Sequence, residues 1–222
     1  MARRKNRKDA HPVGYVLIAD GDTEKWYVEL VKDYYGLKVK IQPELSCGSI
    51  TDQYELVKES IAKGYEHVFW MIDFDCVLKE NKETKSANSV LQSFKSCYQK
   101  AKSRKEWKDK LTIIVNNPCL EYWFYLHMNP LSTKYFGTYK ELLPELRKFK
   151  IDDNLFGKYN KSKKDFYSSP KNLFEKLLPY KRMIDSEPLK SFDIEACQQE
   201  SVSEMPKLFE TLEKGMHSGQ KE

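Results

Sequence analysis

The 222-residue chain is long enough for one sizeable domain with extensions or for two small ones, and its 40% hydrophobic and 13% aromatic content requires a folded core. No apolar run reaches the roughly 20 residues of a membrane-spanning helix, and the basic start "MARRKNRKDAHP" lacks the apolar stretch of a secretory signal, so a cytoplasmic protein with no membrane partner is expected. The net charge of +5 is modest but clustered at residues 3–8, 100–110 and 158–167, and five scattered cysteines without a C-x-x-C pair argue for reduced thiols over a disulfide framework or a zinc site.

Residues 1–12 read as a basic flexible tail. "VGYVLIA" (13–19) predicts a strand, and Trp26, Tyr27, Leu30, Val31 and Tyr34 recur at helical spacing until Gly36. "LKVKIQPE" alternates as a second strand, followed by a helix with Ile50, Tyr54, Val57 and Ile61 on one face and Gly64 at its end. "HVFWMI" (67–72) is the unbroken apolar run of a strand buried on both faces. Val90, Leu91, Phe94, Cys97, Tyr98 and Ala101 stripe a longer helix, "LTIIV" (111–115) is the fourth strand, and Leu120, Trp123, Phe124 and His127 line the helix after it. This alternation predicts an α/β core over residues 13–129, with a mostly parallel four-stranded sheet flanked by helices. From residue 130 the pattern changes to helices near 138–149, 170–178 and 203–214, a helical extension over 130–222 packed on the core with a frayed end.

Ligands of open α/β sheets bind beyond the carboxyl ends of the strands. Asp20 and Glu24 follow the first strand, Asp73 and Asp75 the third, and Asn116, Asn117 and Glu121 the fourth. With strand order 2-1-3-4 these residues converge on one rim. Five carboxylates so placed repel one another unless cations lie between them, and hard oxygen donors suit Mg²⁺ or Mn²⁺, with Asn116 and Asn117 in support. Taken singly, each piece has a plainer reading. Asp22 or Thr23 would cap a helix, Pro118 would open one, and His127, Trp26, Trp70 and Trp123 would be core. The basic runs alone read as solvated faces. Beside such a site, Lys102, Arg104, Lys105, Lys158, Lys163 and Lys164 would track a phosphate backbone, with Tyr159 and Tyr167 as stacking surfaces.

"IADGDTEKWY", "WMIDFDCV" and "VNNPCLEYWFYLHM", in this order, resemble the RloB family of Toprim-like proteins, related to the nuclease part of the overcoming-lysogenization-defect proteins; the similarity covers residues from about 13 to 180. The resemblance implies a Toprim-like Rossmannoid fold, metal-dependent cleavage of DNA or RNA, and a role in bacterial defence against phage, often beside an ATPase partner. It assigns Asp20 to the position of the family's usual Glu, Glu24 to the acid four residues on, Asp73 and Asp75 to D-x-D, Glu121 to the later metal-binding Glu, and Lys161 to the cation near the scissile phosphate. The mechanism so implied uses two metal ions, one on Glu24 and Asp73 with Asp20, and one on Asp75 and Glu121. Two other readings stand beside it. "MIDFDCVL" also resembles the first motif of haloacid-dehalogenase-like phosphatases, with Asp73 as nucleophile, Asp75 as general acid and "KIDDNL" as a later acidic motif; alternatively, the chain is a non-catalytic Toprim-like binding module that partners an ATPase. Self-association is left open.

Overall fold

A computed structural model describes residues 14–19, 21–36, 39–42, 48–83, 89–130, 132–148, 159, 161, 191–197 and 199–218. The apolar runs form β1 (Tyr15–Ile18), β2 (Val39–Gln42), β3 (His67–Asp73) and β4 (Leu111–Asn117), all parallel and ordered β2-β1-β3-β4, as a Rossmannoid alternation of strand and helix demands. Between them run α1 (Asp22–Tyr35), α2 (Ile50–Ala62), α3 (Phe74–Glu83) and α4 (Val90–Ser103), with a short 3₁₀ turn at Lys105–Trp107 before β4. After β4 come α5 (Glu121–Met128), α6 (Tyr139–Arg147), a fifth strand β5 (Val202–Ser203) and α7 (Pro206–Ser218). None of the described helices is long and apolar enough to cross a membrane.

The period of two along the strands divides the core into two layers. Leu17, Phe69, Met71 and Ile114 face α1, α5, α6 and α7, while Val16, Ile18, Val68, Trp70, Ile72 and Val115 face α2, α3 and α4. Buried rings with polar tips find partners within both layers: Trp70 Nε1 donates to Gln53 Oε1 at 3.0 Å, and Trp123 Nε1 donates to the Tyr27 hydroxyl at 2.8 Å. Trp26 is only partly buried, packed against the same layer, and His127 is half-buried with Nδ1 2.6 Å from the Trp123 carbonyl. Ser49 opens α2 with a capping box and Ser89 caps α4, whereas α1 ends at Gly36, whose φ of 65° a side chain would disfavour.

Four local features depart from the sequence reading. The N-cap of α1 is Gly21, ahead of Asp22 and Thr23. Pro118 lies in a cis peptide after Asn117, and α5 begins only at Glu121. Helix α3 follows β3 directly, so Asp75 stands in a first helical turn; the stretch has only Phe74 and Val77 buried and therefore no apolar stripe to announce it. The C-terminal part also contributes a strand. β5 pairs antiparallel with Asn116 and Asn117, and α7 starts at Pro206 as a result. Glu204 fixes this strand, its Oε2 accepting from Val115 N at 3.0 Å and its Oε1 from Phe192 N at 2.9 Å. The proposed helix at 170–178, the basic tail and "KIDDNL" lie outside the described residues.

Candidate metal centre

Because β1, β3 and β4 are neighbours, the segments that leave their carboxyl ends meet at one rim. Asp73 is the last residue of β3, in register with Asn116 of β4. Glu24 lies in the first turn of α1, Asp75 in the first turn of α3 and Glu121 opens α5. Asp73 Oδ1 accepts from Leu120 N at 3.0 Å, which ties the acid of β3 to the entrance of α5. Its other oxygen, Oδ2, is 3.3 Å from Lys161 Nζ, and the same ammonium is 3.5 Å from Glu121 Oε2. Glu121 is fully buried, and its Oε1 accepts a 2.7 Å hydrogen bond from the hydroxyl of Tyr159, itself fully buried. Asp75 Oδ2 accepts from Tyr139 N at 3.1 Å. Asp73, Cys119 and Glu121 each bring a ligand atom within 4.8 Å of the other two.

Several buried oxygens at this rim meet no N–H or hydroxyl donor among the described residues: both of Glu24, beside the Asp73 carboxyl, Oδ1 of Asp75, beside the Cys76 thiol, and Oε2 of Glu121, which faces Lys161 only as an ion pair. Glu24 is 2% exposed, and its carboxylate lies against the bare Cα of Gly21, where a Cβ would overlap Oε2. Gly21 has an ordinary extended backbone, so the carboxylate is what leaves no room for a side chain there. Beside these groups is a cavity of about 120 Å³ whose lining includes Gly21, Glu24, Gln53, Asp73, Cys76 and Lys161.

Burial pushes the Asp73 carboxyl well above its ordinary value, and the adjacent Glu24 adds to the effect while Lys161 opposes it. Glu24 and Asp75 are raised for the same first reason, loss of water, against the pull of Lys161. Burial alone would lower Lys161, but Asp73, Glu121 and Glu24 outweigh it and hold the ammonium charged far into alkaline pH. Cys119 is raised by burial and then by Glu121 and Asp73, and its thiol is a softer donor than the carboxylates beside it. Most of the donors are oxygens, too many and too close to be satisfied by one lysine, and such a set fits a hard divalent cation.

The sequence reading missed Gly21, Cys119 and the role of Tyr159. A glycine immediately before the acids was the available signal for the first; the other two depend on contacts between segments distant in the chain. Tyr159 offers no stacking surface, being buried against Glu121 and Phe124. Asn116 and Asn117 are buried and hold the C-terminal segment: Asn116 Oδ1 accepts from Ser203 Oγ at 2.7 Å, and Asn117 Nδ2 donates to the carbonyls of Cys197 and Glu200, each at 2.6 Å. Lys102, Arg104 and Lys105 are not part of the centre. Lys102 is in the last turn of α4, and Arg104 and Lys105 follow it towards the amino end of β4, at the opposite rim, roughly 20 Å away by strand rise. Asp20, Lys158, Lys163, Lys164 and Tyr167 lie outside the described residues.

The family model described as RloB-like protein matches residues 15–214. The chain belongs to the RloB-like family. No curated protein and no solved structure gives a significant match. The matched span includes every acid of the rim and both Tyr159 and Lys161, so the family relation covers the whole candidate centre.

Proposed function

We propose that this RloB-like protein is a Toprim-like, divalent-metal-dependent nuclease that cleaves phosphodiester bonds of DNA or RNA. The observation that carries this reading is the set of buried carboxylate oxygens, from Glu24, Asp75 and Glu121, that lack N–H or hydroxyl hydrogen-bond donors around one ammonium at the rim of a parallel sheet. Glu24 and Asp73, with Asp20 as a further ligand, would hold one Mg²⁺ or Mn²⁺, and Asp75 Oδ1 with Glu121 Oε2 a second. When bound, such ions lower the pKa of water and offset charge on phosphate oxygens.

The chain's own residues have separable tasks. Leu120 N and Tyr139 N fix one oxygen each of Asp73 and Asp75, leaving the other oxygen of each pair directed to the centre. Tyr159 holds Glu121 in the same way. Lys161, the counter-ion of the acids in the structure described, supplies a fixed positive charge where a phosphate would enter, and its side chain remains 31% exposed. The phosphatase alternative is weaker. Glu24 at the side of Asp73 would oppose an incoming phosphate without a cation between them.

Involvement in phage defence and an ATPase partner belong to this proposal through the family relation. Incubation with plasmid, single-stranded DNA and total RNA in Mn²⁺ tests it. Cleavage that disappears in EDTA and in Asp73→Ala and Glu121→Ala, with the variants still folded, supports the nuclease. Turnover of a small phosphomonoester without nucleic-acid cleavage supports the phosphatase, and nucleic-acid binding without cleavage supports the binding module.

A further inference from the structure

The second sizeable cavity, a groove of about 420 Å³, lies away from the acids, along the outer edge of β4. Val68 N donates to the Lys110 carbonyl, so Lys110 faces β3, whereas Val115 exchanges hydrogen bonds with Glu204 on the other side. Strand periodicity then turns the N–H and C=O groups of Leu111 and Ile113 to the same outer edge as those of Val115. β5 pairs only with Asn116 and Asn117. None of the described residues bonds the four outward groups of Leu111 and Ile113, and both residues line the groove.

The flanks of this edge are unequal. On the face of α4 and the 3₁₀ turn stand Lys102, Arg104, Lys105 and Lys108; on the face of α7 stand Lys207, paired with Glu204, together with Glu210 and Thr211. Arg104 lies 4.5 Å from the Trp107 ring centre and Lys102 5.0 Å from that of Tyr98, which props both cations at the groove, while Lys105 and Lys108 have no acidic partner among the described residues. Edge strands are commonly guarded by charges on the strand itself, but Leu111, Thr112 and Ile113 carry none. A phosphate backbone would meet the outward carbonyls as well as the amides. A peptide strand matches both, and its alternating side chains would place every second residue beside the four cations.

We propose that the outer edge of β4 at Leu111–Ile113 docks an extended acidic segment of a partner protein as an added strand, with carboxylates at alternate positions facing Lys102, Arg104, Lys105 and Lys108. The test uses the full chain and a fluorescent, end-blocked octapeptide of alternating Glu and Thr, read by anisotropy. Saturable binding is expected, weakened at least about tenfold when Gln replaces Glu in the peptide or when the protein carries Lys105→Glu and Lys108→Glu together, with thermal unfolding unchanged. Two complementary patterns of backbone N-methylation keep the charge and separate the inward from the outward amides; one pattern is to abolish binding and the other to spare it. Absence of saturable binding overturns the proposal. So does equal binding of both N-methylated peptides, or displacement of the peptide by oligothymidylate with no effect of N-methylation, which would make the groove a nucleic-acid surface.

Discussion

Lys161→Met removes the only cation seen among the described acids while keeping the length of the side chain. In the described structure its ammonium is 3.3 Å from Asp73 Oδ2 and 3.5 Å from Glu121 Oε2. At an effective dielectric constant of about 20 each attraction amounts to roughly 5 kcal/mol, and the Asp73–Glu121 repulsion, across no more than 4.8 Å, to at least roughly 3.5 kcal/mol. The full sum is not lost, because a carboxyl already raised by burial takes up a proton when its counter-ion goes, and because the lysine is partly hydrated. A net loss of about 2–4 kcal/mol follows, equivalent to a Tm lower by about 5–15 °C for a chain of this size. Differential scanning fluorimetry in EDTA measures it. Mn²⁺ should raise the Tm of Lys161→Met by more than that of the wild type, since the ion no longer competes with the ammonium, while cleavage stays lost. A variant with wild-type Tm in EDTA and the same response to Mn²⁺ refutes the counter-ion argument.

Further outcomes follow from the same geometry. Gly21→Ala puts a Cβ onto Glu24 Oε2, the far end of a flexible side chain, so Tm should move by no more than about 3 °C while cleavage drops about 100-fold; equal activity would show that the position of Glu24 is immaterial. Tyr159→Phe leaves Glu121 Oε1 without its donor and should cost about 1–3 kcal/mol in urea unfolding with the ring packing kept, and an unchanged midpoint contradicts this. Asp73, Glu24 and Asp75 all have folded-state pKa values above the ordinary 3.8 and 4.5, so the native state binds more protons than the unfolded one; their contribution is full below about pH 4 and is lost as pH rises through the raised values. In EDTA, Asp73→Asn should therefore gain stability relative to wild type as the pH rises above the ordinary carboxylate range, measured by denaturant unfolding at a series of pH values, and a pH-independent difference counts against it.

β1 and β3 were legible because strands buried on both faces are written as unbroken apolar runs, and the order β2-β1-β3-β4 of the structure is the condition under which Glu24, Asp73 and Glu121 were expected to share a rim. The acids themselves could be named from their places after strands. β5 could not, since two residues carry no period, and its place is fixed by Glu204 reaching Val115 from 89 positions away. Tyr159 likewise reads as one more tyrosine in a basic stretch until the chain brings it to Glu121, 38 positions away. The run at 100–110 lies away from the acids for a topological reason. A helix between parallel strands returns to the amino end of the next strand, so residues just before β4 sit at the rim opposite those just after it.

Titration of the purified, EDTA-stripped protein with Mn²⁺, followed by the electron paramagnetic resonance signal of free Mn²⁺, measures directly whether the acidic rim is a metal site. The wild type is predicted to remove Mn²⁺ from solution saturably, and Glu24→Gln with Asp73→Asn to lose that uptake while remaining folded. Equal uptake by wild type and the double variant, or none by either, would contradict the assignment of these carboxylates as ligands.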